Sequence, residues 1–123
     1  MALILVVEDE PDLVALLADQ LTLLGHEVLV ATDGLQGLRL ARESLPDLLL
    51  TDVIMPFMDG TEMLEQIRSH AETAHLPVIA FSALTDARTQ ARLESLGITG
   101  FLPKPYSFRE LEERIREATK EAG

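Results

Sequence analysis

The chain has 123 residues, a size for one compact domain spanning 1–123, and 47 % of them are hydrophobic, so a sizeable core needs no disulfide or metal staple. It contains no cysteine, which excludes disulfides, thiolate catalysis and Cys-based zinc or iron–sulfur centres and points to a reducing cytoplasm. The 21 acidic residues against 10 Lys plus Arg give a formal charge of −11, which opposes direct nucleic-acid binding because such binding depends on basic groups neutralising phosphates.

The longest apolar run is Met1–Val7. It is far shorter than the roughly 20 residues that cross a bilayer. It also lacks a basic leader and ends in Glu8-Asp9-Glu10, so neither membrane insertion nor a signal peptide is expected. Within it, the aliphatic stretch Leu3–Val7 predicts a strand buried on both faces. Pro11 suits a first helical position, Val14, Leu17, Leu21 and Leu24 recur at helical spacing, and Gly25 ends the helix. Glu27–Ala31 predicts a second strand. Asp33 with Gln36 resembles a capping box that opens a helix through about Glu43, broken by Leu45-Pro46. Asp47–Thr51 predicts a third strand, and Asp59 with Glu62 starts a third helix with Met63, Ile67 and Ala71 on its inner stripe. After Pro77, Val78–Phe81 reads as a strand, a helix runs from about Asp86 to Leu96 before Gly97, and Ile98–Leu102 is the last extended piece. Ser107 with Glu110 is another capping box, and Phe108, Leu111, Ile115 and Ala118 form the stripe of a final helix that ends at about Glu121.

Buried strands alternating with amphipathic helices imply an α/β fold, a five-stranded parallel sheet with helices on both faces. Periodicity leaves the strand order open; flavodoxin-like winding, 2-1-3-4-5, is the commonest five-strand solution. Ligands of such sheets bind outside the carboxyl ends of the strands. Glu8 and Asp9 follow the first strand, Asp52 the third, Ser82 the fourth and Lys104 the fifth. Three neighbouring carboxylates repel one another unless a cation joins them. Mg²⁺ suits a site with few carboxylates and room for water or phosphate oxygens, and it brings the formal charge of the three acids plus Lys104 to zero. The arrangement suggests phosphoryl chemistry.

Four segments carry a resemblance: Leu3-Ile4-Leu5-Val6-Val7-Glu8-Asp9-Glu10, Thr51-Asp52-Val53-Ile54-Met55-Pro56 with Asp59-Gly60, Phe81-Ser82-Ala83, and Phe101-Leu102-Pro103-Lys104-Pro105. In this order, each at a predicted strand end, they closely resemble the response-regulator receiver domain of two-component signalling, and the likeness covers essentially the whole chain. The resemblance implies that Asp52 is the phospho-acceptor, attacking the phosphoryl group of a phosphohistidine on a sensor histidine kinase or histidine phosphotransfer protein. It implies that Asp9, Asp52 and the backbone carbonyl of Ile54 ligate Mg²⁺, with Glu8 acting largely through a metal-bound water. Lys104 would pair with Asp52 and then with a phosphoryl oxygen. Ser82 would move toward the phosphoryl group and let Phe101 rotate into the vacated space, altering a surface of the fourth helix, fifth strand and fifth helix. The Lys104-Pro105 peptide is expected to be cis. Ile54 and Leu84, two places after the acceptor and the switch hydroxyl, are both apolar, so nothing orients a hydrolytic water and a long-lived aspartyl phosphate is expected.

Each residue also has a plainer reading. Glu8 and Asp9 could be acids favoured at a helix start, Ser82 a turn residue and Phe101 a half-buried core aromatic; it is their common register that favours a site. Asp59 and Ser107 read as caps only. His26, His70 and His75 read as surface residues remote from the crevice. The last helix carries a mixed-charge face with pairs such as Glu110–Arg114. A phosphatase of the haloacid-dehalogenase type, or a Toprim-like nuclease, needs a second acid two places after the first, where Ile54 stands. A flavodoxin-like FMN carrier needs a phosphate loop that Glu8-Asp9-Glu10 would repel. A scaffold receiver that takes no phosphate is disfavoured because all five site residues are present. The chain reads either as a stand-alone regulator or as a receiver cut from a longer protein. A phosphorylation-dependent homodimer stays open.

Overall fold

The computed structural model describes residues 2–55, 58–83 and 86–122. Strands and helices alternate strictly: β1 (Leu3–Val7), α1 (Pro11–Leu23), β2 (Glu27–Ala31), α2 (Gly34–Ser44), β3 (Leu48–Asp52), α3 (Gly60–Ser69), β4 (Val78–Ser82), α4 (Ala87–Ser95), β5 (Gly100–Pro103) and α5 (Phe108–Ala122). All strand pairs are parallel and the order is β2-β1-β3-β4-β5, the winding expected from the alternation. In register, Val7 lies beside both Ala31 and Thr51, Asp52 beside Phe81 and Ser82 beside Pro103, so the carboxyl ends of the strands finish along one edge. Among the described residues no helix is long and apolar enough to cross a membrane.

Side-chain alternation along each strand builds two apolar layers. Ile4, Val6, Leu48, Leu50, Ile79, Phe81 and Leu102 pack against Leu17 and Leu21 of α1 and against Leu111, Ile115 and Ala118 of α5. Leu5, Val7, Leu49, Val78 and Ala80 pack against Ala41 of α2, Met63, Leu64 and Ile67 of α3, and Leu93 of α4. β1, β3 and β4 are therefore apolar on both faces, which is why they read as continuous aliphatic runs.

Local chemistry explains the boundaries. Gly25 and Gly97 take φ of 90° and 73° where α1 and α4 stop. Asp33, Asp59 and Asp86 cap their helices by accepting from the backbone N–H groups of Gln36, Glu62 and Thr89. Ser107 and Glu110 form the full reciprocal box, each side chain accepting from the other's N–H at 3.1 Å. Glu110 is thereby occupied, and among the described residues α5 pairs Arg109 with Glu113 and Glu112 with Arg116 instead, at 3.6 and 3.5 Å.

Several expected boundaries shift. β3 begins at Leu48, and just before it Asp47 is paired with Leu3 twice, its N–H donating to the Leu3 carbonyl and its carboxylate accepting the Leu3 N–H, both at 2.8 Å. Ile98 stays outside β5, its N–H closing the end of α4 on the Leu93 carbonyl. Ala71 is exposed and beyond α3, since His70 is already extended at φ −103°. Phe108 is 39 % exposed, because the first residue of α5 lies at the helix end where the layer beneath it stops. The Arg68 guanidinium donates to the carbonyls of Ala74, Leu76, Leu96 and Gly97, tying the α3–β4 and α4–β5 loops together.

His26 is half-buried, and its Nδ1 accepts the Ala2 N–H at 3.1 Å, which requires a neutral ring. Burial holds its pKa below the usual 6.5. Stability linked to this ring is complete above pH 6.5 and is lost as pH falls through the lowered value. Thermal melts below pH 6.5 are expected to fall more steeply for the wild type than for His26→Phe. Gly60 is a second sensitive position: a Cβ there would stand 2.5 Å from the Asp52 carbonyl oxygen and 2.9 Å from Val53 Cα. Gly60→Ala is expected to cost about 2–4 kcal/mol, read by denaturant unfolding.

Candidate functional site

The site is produced by strand parity. The Glu8 N–H donates to the Ala31 carbonyl at 3.0 Å and extends the β1 ladder by one residue. Its side chain thus continues the series Ile4, Val6, Glu8 on the α1/α5 face. Asp52 continues Leu48 and Leu50 on the same face of β3, and Lys104 continues Leu102 beyond β5. Three segments far apart in sequence deliver two acids and one ammonium to one corner.

There the Lys104 Nζ lies 3.3 Å from Glu8 Oε1 and 3.3 Å from Asp52 Oδ2. It also stands 5.2 Å from the centre of the Phe81 ring, a cation–π distance. Asp52 Oδ1 accepts the N–H groups of Val53 and Ile54 at 2.7 and 3.3 Å, which fixes the carboxylate and leaves Oδ2 toward Lys104. Glu8 Oε2 accepts the Glu10 N–H at 3.0 Å. Oxygens of Glu8, Asp9 and Asp52 lie within 4.8 Å of one another. Glu8 is fully buried, Asp52 is 7 % exposed and Asp9 is open to solvent.

Burial, with like charge as a smaller contributor, shows in the titration of Glu8. Burial pushes Glu8 up to about 7; the Glu10 N–H pulls against this, the carboxyls of Asp9 and Asp52 add to it, and Lys104 opposes it. Burial works against the charged form of Lys104, but Asp52 and Glu8 outweigh it and hold its pKa above the ordinary lysine value. Three carboxylates and one ammonium leave two negative charges uncompensated. Oxygen donors, excess negative charge and one side open to water fit a hard divalent cation such as Mg²⁺.

The remaining expected residues divide by face. Ser82 is buried at the end of β4, on the side of Val78 and Ala80, and its carbonyl accepts the Lys104 N–H at 2.9 Å. Phe101 is half-buried beside Ala80 in the same α2–α4 layer. Ile54 is 53 % exposed beside Asp52. Leu84 and Pro56 lie outside the described residues. The Lys104-Pro105 peptide is cis, as expected. Asp59 and Ser107 act as caps.

Three contributors stand in the segments that carry the resemblance but take no role from the sequence alone. Phe81 supplies the aromatic face beneath Lys104, a role its register beside Asp52 could have signalled. Gly60 lets α3 start against the Asp52 carbonyl, and the Thr51 hydroxyl donates to that same carbonyl at 2.8 Å.

Residues 4–116 match the family model of the response regulator receiver domain. The sensor histidine kinase TmoS of Ectopseudomonas mendocina is 38 % identical over 112 residues, covering 91 % of this chain but 11 % of the kinase. The chain spans less than half the length of such curated relatives, 43 % in the probable transcriptional regulator ycf27 of Guillardia theta, 34 % identical over 92 % of this chain. Among solved structures, the Vibrio cholerae chemotaxis protein CheY4 superposes with a TM-score of 0.90 at 27 % identity, covering 96 % of this chain and 98 % of that one. The receiver domain of a Pseudomonas aeruginosa sensor histidine kinase, solved with magnesium coordinated in its active-site cleft, gives 0.89 at 28 % identity and covers 97 and 98 %. Sequence pattern, sheet order and acidic corner thus converge, and the chain belongs to the response regulator receiver domains, the phospho-acceptor signalling modules of two-component systems.

Proposed function

We propose that residues 1–123 act as one receiver in which Asp52 accepts a phosphoryl group from a phosphohistidine of a sensor histidine kinase or histidine phosphotransfer protein. The observation that carries this reading is the Lys104 ammonium at 3.3 Å from both Glu8 and Asp52, at the carboxyl ends of the strands. Asp52 Oδ2 is the attacking atom, since Oδ1 is held by two backbone N–H groups. The P–N bond of the phosphohistidine breaks as the P–O bond to Asp52 forms, and the imidazole leaves with the electron pair and is reprotonated. Lys104 then turns from the Asp52 carboxylate to a phosphoryl oxygen, and the Ser82 hydroxyl donates to another. Glu8, Asp9 and Asp52, with the Ile54 backbone carbonyl, would hold Mg²⁺, Glu8 largely through a water. When bound, the ion supplies charge neutralisation at the acids and at the phosphoryl oxygens.

The output is a changed α4–β5–α5 surface, brought about by Ser82 moving inward and Phe101 following it, and read by a protein partner. The module catalyses only its own phosphorylation and dephosphorylation, and a cysteine-free, acidic chain suits the cytoplasm.

Incubation with acetyl phosphate or a phosphorylated kinase domain is expected to label the wild type in Mg²⁺ and not in EDTA. Asp52→Asn is expected to lose at least about 100-fold of that label; equal labelling of the variant would overturn the assignment. Ile54, apolar and exposed beside Asp52, orients no water. Ile54→Gln is expected to speed loss of the phosphoryl group several-fold, roughly 3–10 times, measured by decay of label after the donor is removed.

A further inference from the structure

Tyr106 lies two residues beyond Lys104, and its ring packs on Phe81 with centroids 6.1 Å apart and planes at 56°. Phe81 is also the ring that Lys104, in the same β5–α5 connection, contacts. The Tyr106 hydroxyl is buried and reaches no hydrogen-bond partner among the described residues. Burying a hydroxyl without a partner is unfavourable where phenylalanine would fill the same space at no such cost. Phe81 points into the α1/α5 layer, and Glu8 and Asp52 fall on that same face. Tyr106 packs against that same layer, on a ring that Lys104 also covers, next to the corner that holds the acids.

A complementary vacancy follows from the proposed transfer, on which this inference rests. Glu8 is fully buried, and its Oε1 accepts from Lys104. When Lys104 turns to the phosphoryl group, Glu8 Oε1 gives up the ammonium while Oε2 keeps the Glu10 N–H, and beside the water through which Glu8 would hold Mg²⁺ a replacement donor at Oε1 offsets that loss. We propose that the Tyr106 hydroxyl is that replacement: a positioning residue, unpaired in the resting protein, that donates to the Glu8 carboxylate once Asp52 is phosphorylated. Burial and the charges of Glu8 and Asp52 push the phenol up to about 12, so it remains protonated, and a donor, throughout the physiological range.

Tyr106→Phe removes the donor and nothing else. In the metal-free protein the variant is expected to melt at the same temperature as the wild type or higher, because no bond is lost. With Mg²⁺ and beryllofluoride, an analogue of the phosphoryl group, its affinity by calorimetry is expected to be about tenfold weaker, while Mg²⁺ alone binds both proteins equally. Tyr106 is the only tyrosine and there is no tryptophan, so near-ultraviolet absorption reads this phenol directly in the unmutated chain. A red shift on adding beryllofluoride is expected, as a phenol gives when it donates to a carboxylate. Equal beryllofluoride affinity in both proteins, no red shift, or a matching loss of stability in both states overturns the role of Tyr106. A wild type that binds no beryllofluoride overturns the acceptor reading and this inference together.

Discussion

The molecule turns on one ammonium group placed between two carboxylates that the fold withdraws from water. Glu8 and Asp52 could not both be held charged at the end of an aliphatic sheet without a cation, and Lys104, 3.3 Å from each, is the group that supplies it. The compensation is incomplete, since Asp9 brings a third carboxylate to the same cluster. A corner with two formal negative charges in excess fits a hard divalent ion. Burial raises the pKa of Glu8, and the neighbouring carboxyls of Asp9 and Asp52 add to it.

Burial is graded across the site in a way that suits an exchange of partners. Glu8 is sealed beneath, Asp52 is almost sealed, and Asp9 faces solvent, so an ion or a phosphoryl group would enter past Asp9 while Glu8 holds the floor. The surroundings are stiff. Asp52 is anchored by two backbone N–H groups, its carbonyl receives the Thr51 hydroxyl, and α3 begins against it at Gly60. The β4–β5 end is closed by the Lys104 N–H on the Ser82 carbonyl. With the backbone so tied, the proposed response to a change of charge at Asp52 falls to side chains: Lys104, Ser82 and Tyr106.

Much of the fold was legible because local chemistry and tertiary packing ask for the same residues. The aliphatic strands, the capping aspartates and the helix-ending glycines announce themselves by period and position. The misjudged places are those where a residue answers to a distant partner. The Asp47 carboxylate accepts from Leu3 at the edge of β3, Glu110 accepts from Ser107 in place of pairing with Arg114, and His26, read as a surface residue, accepts from Ala2. Phe108 obeys the helical period yet stays exposed, because the period says which side of a helix is apolar and not how far the underlying layer extends.

The sequence by itself determined the alternation of strand and helix, the parallel sheet, and the residue types that stand after each strand, because side-chain period and the hydrophobic demand of a two-sided sheet are properties of short segments. Only the tertiary structure decided that Glu8, Asp52 and Lys104 share one face and touch, that Glu8 is sealed while Asp9 is not, and that Lys104 lies over the Phe81 ring on which Tyr106 packs. Distances between side chains on different strands depend on register, twist and the packing of both helical layers at once, and no single stretch of the chain contains that information.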